Sequence, residues 1–155
     1  MPPTPKIKVR SLAEGDVGAV LEIQRASPGA TQWSAAQYDQ GLADAESHSG
    51  LVAEKDGVVV GFFVYRSTAP GETEVLNLAV ATGARRRGVA KALVATLRRG
   101  ASGDIFLEVR AANEPAITLY ERAGFVVVGR RKAYYRDPAD DALIMKSAAR
   151  VGAVE

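Results

Sequence analysis

Cysteine is absent from this 155-residue chain, and with it go disulfides, thiolate metal ligands and any cysteine acyl-enzyme. The same absence fits a reducing compartment. Histidine is nearly absent: His48 is the only one, too few for a zinc site, and within "AESHSG" it is expected to be a plain surface residue. No metal is expected. No apolar run approaches the ~18 residues that cross a bilayer, and "MPPTPKIKV" lacks the apolar core of a secretory signal, so a cytoplasmic protein without membrane contact is expected. Excess charge is lacking too. The 20 Lys and Arg against 18 Asp and Glu leave a net charge of +2, which argues against a general polyanion binder and against direct nucleic-acid binding. No internal repeat or low-complexity linker divides the chain. Its length suits one domain, expected to be ordered from about residue 6 to 147 between short tails.

What is present is a regular alternation of elements. "IKVRSL" alternates like a strand, and Asp16 is placed to cap a helix carrying Val17, Val20, Leu21 and Ile23. Ser34 is placed to cap a second helix ending near residue 45. "GLVAEKDGVVVGFFVYRS" is two strands joined at Asp56 and Gly57, a strong hairpin signal, and "TEVLNLAV" is another strand. Ala90, Leu93, Val94 and Leu97 share one face of a helix that Gly100 and Gly103 stop. "DIFLEV" is a short buried strand. Asn113 and Pro115 open the next helix, and strands over 125–135 and 142–146 flank the turn "RDPADD". The order β-α-α-β-β-β-α-β-α-β-β predicts an α/β (α+β) fold: a mixed sheet of about seven strands with about four helices on its faces.

Three stretches carry residues that packing alone does not explain. In "GARRRGVAKALV", three arginines precede a helix start, where cations are electrostatically out of place. A strand that enters a helix through glycine is an anion seat, because the first-turn N–H groups are unpaired. Gly83 and Gly88 leave room for close approach. The amides of Arg86, Arg87, Gly88, Val89, Ala90 and Lys91 can cradle a pyrophosphate, with Arg85, Arg86, Arg87 and Lys91 as screening charge. The alternative is a solvated cationic helix end. Neither G-x-x-x-x-G-K-[ST] nor G-x-G-x-x-G is present, which excludes a nucleotide-hydrolysing P-loop.

The second stretch is "IFLEVR", where Glu108 is a lone carboxylate sharing a strand face with Phe106 and Arg110, opposite Ile105, Leu107 and Val109. A charge in such a run requires a partner or a chemical role, which leaves an ion pair with Arg110 or proton transfer beside a cleft. The third is "NEPAITLYERAGF", where Tyr120 follows Asn113 by two helical turns. Tyr120 is either a core tyrosine with its hydroxyl at the surface or a proton donor.

Taken together, "LNLAVATGARRRGVAKALV" and "LEVRAANEPAITLYERAGF" resemble the GCN5-related N-acetyltransferase (GNAT) superfamily over nearly the whole chain. Its Q/R-x-x-G-x-G/A signature is matched by Arg85, Gly88 and Ala90. Within the superfamily the chain resembles the ribosomal-protein-alanine N-acetyltransferase (RimI) subgroup, through Trp33-Ser34, "LEVR", the spacing from Asn113 to Phe125, and Tyr134-Tyr135 ahead of "ALIM". Ala90 stands for the commoner last glycine, Arg85 for the commoner glutamine, and Arg136 where a proline is common.

The resemblance implies acetyl coenzyme A as donor and direct transfer to an amine, in a domain spanning the chain. Glu108 resembles the general base and Tyr120 the general acid. Leu78, Ala79, Val80, Arg86, Arg87, Gly88, Val89, Ala90, Lys91 and Asn113 resemble the coenzyme contacts. The pantetheine arm is expected to lie beside "LNLAV" like an added strand. Tyr134 and Tyr135 are expected to wall the acceptor site, or else to pack across a hairpin; Trp33 is a substrate contact or core. The implied acceptor is a protein N-terminus, such as that of a ribosomal protein beginning with alanine. The alternatives are a lysine or small-molecule amine, or a non-enzymatic coenzyme A sensor or RNA-associated domain.

Overall fold

The computed structural model describes residues 6–27, 30–85, 88–100 and 103–147. The elements follow the predicted order. They are β1 Ile7–Ser11, α1 Val17–Arg25, α2 Ala35–Ala43, β2 Ser49–Lys55, β3 Val58–Ala69, β4 Glu72–Val80, α3 Val89–Gly100, β5 Asp104–Arg110, α4 Glu114–Arg122, β6 Val126–Arg136 and β7 Ala139–Ser147. Local chemistry sets several boundaries. Asp56 and Gly57 both adopt positive φ, 53° and 81°, as a two-residue hairpin requires. Ser34 caps α2 reciprocally: its hydroxyl accepts from the Gln37 N–H and the Gln37 side chain accepts from the Ser34 N–H. Asn113 Oδ1 accepts from the Ala116 N–H at 3.3 Å to open α4.

Two expectations are corrected. Asp16 does not cap α1 with its side chain; it sits in a short 3-10 turn with helical backbone angles. Its carboxylate takes the Arg10 guanidinium through two bonds, at 2.7 and 2.9 Å, and the Ala13 N–H at 2.8 Å. An arginine partner outcompetes a helix amide, and it holds the Asp16 carboxyl below the usual carboxylate range. His48 is not a surface residue but only 7% exposed, with its ring edge-on to Trp33 at 4.8 Å. Gly41 makes the room: a Cβ there would lie 2.3 Å from the His48 ring.

The seven strands form one sheet in the order β1-β2-β3-β4-β5-β7-β6. All pairs are antiparallel except β4 with β5. One face packs on α1 and α2 through Val20, Tyr38, Val52, Phe62 and Val64. The other packs on α3 and α4 through Phe63, Leu93, Leu107, Tyr120 and Phe125. An irregularity in β4 matters for everything that follows. Val64 is opposite Asn77 but the next β3 residue, Tyr65, is opposite Val75, so Leu76 is an extra residue. Strand alternation therefore slips by one. Val75 and Leu78 pack toward the α3 side, whereas Leu76 packs toward α1 and α2 and Asn77 hydrogen-bonds Gln24 and Tyr38 there. The pairing of β4 with β5 covers Glu72 to Asp104, Thr73 to Ile105 and Glu74 to Phe106, and stops just short of that bulge.

The start of α3 lies directly on β3 because Gly61 has no side chain. A Cβ at Gly61 would fall 2.7 Å from Val89 Cγ1, a stiff β-branched group in the first turn of α3. At the exposed Gly18 in α1 a Cβ would meet nothing within 4 Å. The two glycines are thus expected to respond oppositely to alanine. Gly61→Ala costs about 1–3 kcal/mol through overpacking, whereas Gly18→Ala gains up to about 1 kcal/mol from helix propensity. Urea denaturation of the two variants beside the parent checks both signs.

Candidate active site

Past Glu74 and Phe106 the two parallel strands separate, and residues 75–80 keep only β3 as a strand partner among the described residues. Leu78, Ala79 and Val80 line this split, paired on their other edge with Phe63, Phe62 and Gly61. The chain then passes through a short 3-10 turn, Thr82–Ala84, and enters α3 through Gly88, whose φ is +81°. Val89 and Ala90 are buried in the first turn and Lys91 is exposed. Their amides belong to the set that a helix leaves unpaired at its N-terminus. Arg86 and Arg87 lie outside the described residues.

Arg85 has structural partners that its place in the basic run does not reveal. Its guanidinium donates to the Val80 carbonyl at 3.1 Å, the Ser27 hydroxyl at 3.2 Å and the Ala26 carbonyl at 3.4 Å. Ala26 ends α1, and terminal helix carbonyls take an arginine readily. The side chain therefore ties the end of β4 to the end of α1 through Nε and Nη2.

Glu108 lies on the sheet face that α1 and α2 share, opposite Ile105, Leu107 and Val109, which pack toward α3. Its partner is Arg131, not Arg110, with Arg131 Nε 3.3 Å from Glu108 Oε1. Arg110 is drawn instead to the β6–β7 turn, where it donates to the Pro138 and Asp137 carbonyls and lies 4.1 Å over the Tyr135 ring. Arg131 reaches Glu108 across β7, since Glu108 is opposite Ile144 and Arg131 is opposite Ala142. The sequence signal for Arg131 was a second basic run, "GRRK", on the strand that carries the tyrosine pair. Tyr134 is half exposed, edge-on to Tyr135 at 5.1 Å, with the Arg131 guanidinium 5.6 Å over its ring. Burial pushes the Tyr135 phenol up, and the charge of Glu108 adds to it.

Tyr120 approaches from the opposite face. Its ring is buried against Phe125 at 5.8 Å, and its hydroxyl has no hydrogen-bond partner among the described residues. Burial, with a smaller push from Tyr135, raises this phenol to about 12. Asn113 stands at the start of the same helix, its side chain engaged as the cap. Trp33 is not brought to this cluster; it packs on Tyr38 and His48 behind α2. A cavity of about 220 Å³ between α2, β2 and β3 is lined by Tyr38 and His48 and includes none of Glu108, Tyr120, Arg131, Tyr134 and Tyr135. Among the described residues no group of His, Asp or Glu is placed to hold a metal ion, and no helix is long and apolar enough to cross a membrane.

Residues 18–125 match the Acetyltransferase (GNAT) family. The chain belongs to the GNAT acetyltransferases. It is 30% identical to the N-alpha-acetyltransferase RimI of Mycobacterium tuberculosis over 148 residues, covering 92% of this chain and 93% of that protein. The crystal structure of the ribosomal-protein-S18-alanine N-acetyltransferase from Escherichia coli superimposes with a TM-score of 0.78 at 27% identity, covering 94% of this chain and 96% of that one. An uncharacterised protein of Mycobacterium leprae is 35% identical over 144 residues, and there the chain spans only 40% of the relative's length. The mixed seven-strand sheet with four helices is the GNAT fold.

In this GNAT domain the Glu108 carboxylate and the Tyr120 phenol lie on opposite faces of the sheet. The phenol makes stability depend on alkaline pH. Tyr120 stays protonated to about 12 when folded but ionises near 10 when unfolded, so the folded state holds more protons between those values. Its contribution is complete below pH 10 and is lost as pH rises toward 12, a fall of about 2–3 kcal/mol for this group. Tyr120→Phe is expected to match the parent's stability at pH 7.5 and to flatten the alkaline fall, as read by urea denaturation at stepped pH.

Proposed function

We propose that this GNAT enzyme transfers acetyl from acetyl coenzyme A directly to the N-terminal α-amine of a protein, in the manner its RimI-type relatives are named for, with a ribosomal protein beginning with alanine as the leading acceptor. The observation that carries the reading is the split between β4 and β5, with Glu108 on one face and Tyr120 on the other. Acetyl coenzyme A, once bound, supplies an already activated thioester, so no nucleophilic side chain is required, in keeping with a chain that has no cysteine.

The residues present fit that donor. The free edge of Leu78, Ala79 and Val80 offers backbone groups to an extended amide-bearing chain, as an added strand would. Gly88 has open space around its α-carbon, and the amides of Val89, Ala90 and Lys91 follow it at the helix N-terminus, suited to a pyrophosphate. Arg86 and Arg87 are proposed to add charge to this seat, Arg85 to shape its loop from behind, and Asn113 to set the start of α4, the helix that carries Tyr120. On the acceptor face, Glu108 accepts a proton from the amine, directly or through water, while Tyr134 and Tyr135 pack beside the incoming chain. Trp33 is proposed to act by anchoring the α1–α2 loop, its ring packed on Tyr38 and His48.

The acceptor class follows from proton affinity. An α-amine with a pKa of about 7.7–8.0 is roughly one-third neutral at pH 7.5, whereas a lysine amine near 10.4 is only about 0.1 per cent neutral. The α-amine therefore asks less of the group that takes its proton. Tyr120 stays protonated throughout the working range, donates a hydrogen bond to the departing thiolate, and passes its proton on where that thiolate is poorly solvated.

The test is intact-mass analysis of two peptides incubated with enzyme and acetyl coenzyme A, one with a free N-terminal alanine and no lysine, the other N-blocked with one lysine. Mass gain confined to the first is expected. Gain confined to the second moves the acceptor to a side-chain amine, and no gain on either sinks the peptide reading. In Glu108→Gln and Tyr120→Phe, turnover is expected to fall by about 10²–10⁴-fold while coenzyme binding by calorimetry persists.

A further inference from the structure

The loop between α1 and α2 is fastened to the sheet by side chains from elsewhere. Asn77 Oδ1 accepts from the Thr31 N–H at 3.0 Å, and Asn77 Nδ2 donates to the Thr31 carbonyl at 2.8 Å. One amide thus serves both backbone groups of a loop residue, as a neighbouring strand would. The same Nδ2 lies 3.3 Å from Gln24 Oε1 and 3.3 Å from the Tyr38 hydroxyl, which itself donates to Gln24 Oε1 at 2.5 Å. Gln24 Nε2 donates to the Trp33 carbonyl at 2.6 Å. Thr31 and Trp33, at the two ends of a three-residue segment, are therefore held by β4 and by α1.

This arrangement is costly if stability were its whole purpose. Asn77 and Gln24 are 5% and 3% exposed, and a buried amide gains little net over an apolar residue of the same shape. What a satisfied buried network does supply is a single geometry. The geometry it fixes is a loop position relative to β4. Leu76, the extra residue of the bulge, turns Asn77 onto the face that bears Glu108, within the stretch 75–80 that has parted from β5. The loop so held stands on the β4 side of the split, and Arg131, Tyr134 and Tyr135 stand beyond Glu108 on β6.

We infer that Asn77 is a positioning residue that locks the α1–α2 loop onto the strand aligning the acetyl donor, and so sets one wall of the acceptor site. The inference rests on the acetyl-transfer reading above. Asn77 touches neither substrate. It holds the loop against which a peptide acceptor is seated, so its removal weakens acceptor binding without changing the chemistry at the split.

Steady-state kinetics on the alanine-first peptide separate these effects. Asn77→Ala is expected to raise the acceptor KM about tenfold, the scale of one or two lost hydrogen bonds. The kcat and the KM for acetyl coenzyme A are expected to move by less than about twofold. Tyr38→Phe removes a hydroxyl from the same buried node but leaves both Thr31 bonds, and its acceptor KM stays within about twofold of the parent. Thr31→Pro deletes the loop's N–H at an exposed position and reproduces the Asn77→Ala change even if the core variant fails to fold. An unchanged acceptor KM in Asn77→Ala and Thr31→Pro overturns the inference, as does a Tyr38→Phe effect of equal size or a joint loss of kcat and both KM values. Hydrogen exchange at the Thr31 amide is expected to accelerate in Asn77→Ala without any substrate, and unchanged exchange overturns the lock independently of turnover. If the parent prefers a lysine or small amine, the N-terminal reading fails while the Asn77 kinetics are read on that amine.

Discussion

The extra residue at Leu76 is the constraint from which the rest of the site follows. With regular alternation, Asn77 would share the face of Val75 and Leu107 and bury its amide among Phe63 and Leu93 without a partner, at a cost of several kcal/mol on the order of an unpaired buried amide. With the bulge, the amide meets Gln24, Tyr38 and Thr31, while Leu78 and Val80 stay apolar under α3. A bulge also bends and twists its strand, and the β4–β5 ladder ends just before it. The opening between the two central strands begins next to this one added residue, and the same residue aims the Asn77 side chain at α1, α2 and the loop between them.

Around that opening the charges are arranged to orient rather than to bind hard. The Glu108 and Arg131 side chains are 23% and 56% exposed and meet through a single contact at 3.3 Å. A pair of that kind contributes about 0–1 kcal/mol. It fixes the direction of the carboxylate yet is easily exchanged for an arriving amine. Arg110 and Arg131 each lie over a tyrosine face, which keeps two cations near Glu108 without placing both on it. Tyr120 is the contrast: a buried phenol whose surroundings hold its proton firmly.

Element order and most boundaries were legible because they rest on local chemistry: the Asp56-Gly57 turn, the Ser34 box, the Asn113 cap and the alternation of "DIFLEV" depend on neighbours within a few residues. The failures were matters of partner choice. Asp16 sat in an ideal cap position, but the guanidinium of Arg10, six residues earlier in the chain, was the stronger partner. His48 looked exposed because nothing in "AESHSG" reveals that Gly41, in the preceding helix, leaves a hole of its shape. Arg110 was the natural mate of Glu108 by adjacency on one face, whereas the β6–β7 turn supplied carbonyls that drew it away and brought Arg131 across an intervening strand. The bulge was hidden for a related reason. "TEVLNLAV" alternates acceptably in either phase, and only a polar residue inside an otherwise apolar run marked the slip.

Arg85 shows how far a basic run differs from a basic site. Of the three arginines, its charge is directed inward to two carbonyls and a hydroxyl, where it secures the turn between β4 and α3. The attraction that α3 offers an anion then depends first on backbone: the first-turn amides, the helix dipole and the positive φ of Gly88. Backbone donors are lost only to proline, so a seat built from them constrains little of the sequence beyond the exclusion of proline, a glycine and a tight helix start on Gly61. The acceptor side has no such uniformity. The walls proposed for it are a loop held by Asn77 and a strand bearing two tyrosines, both set by side chains that can change without disturbing the helix start. One scaffold can therefore keep its donor chemistry fixed while its acceptor varies, and the division runs along the split in the sheet.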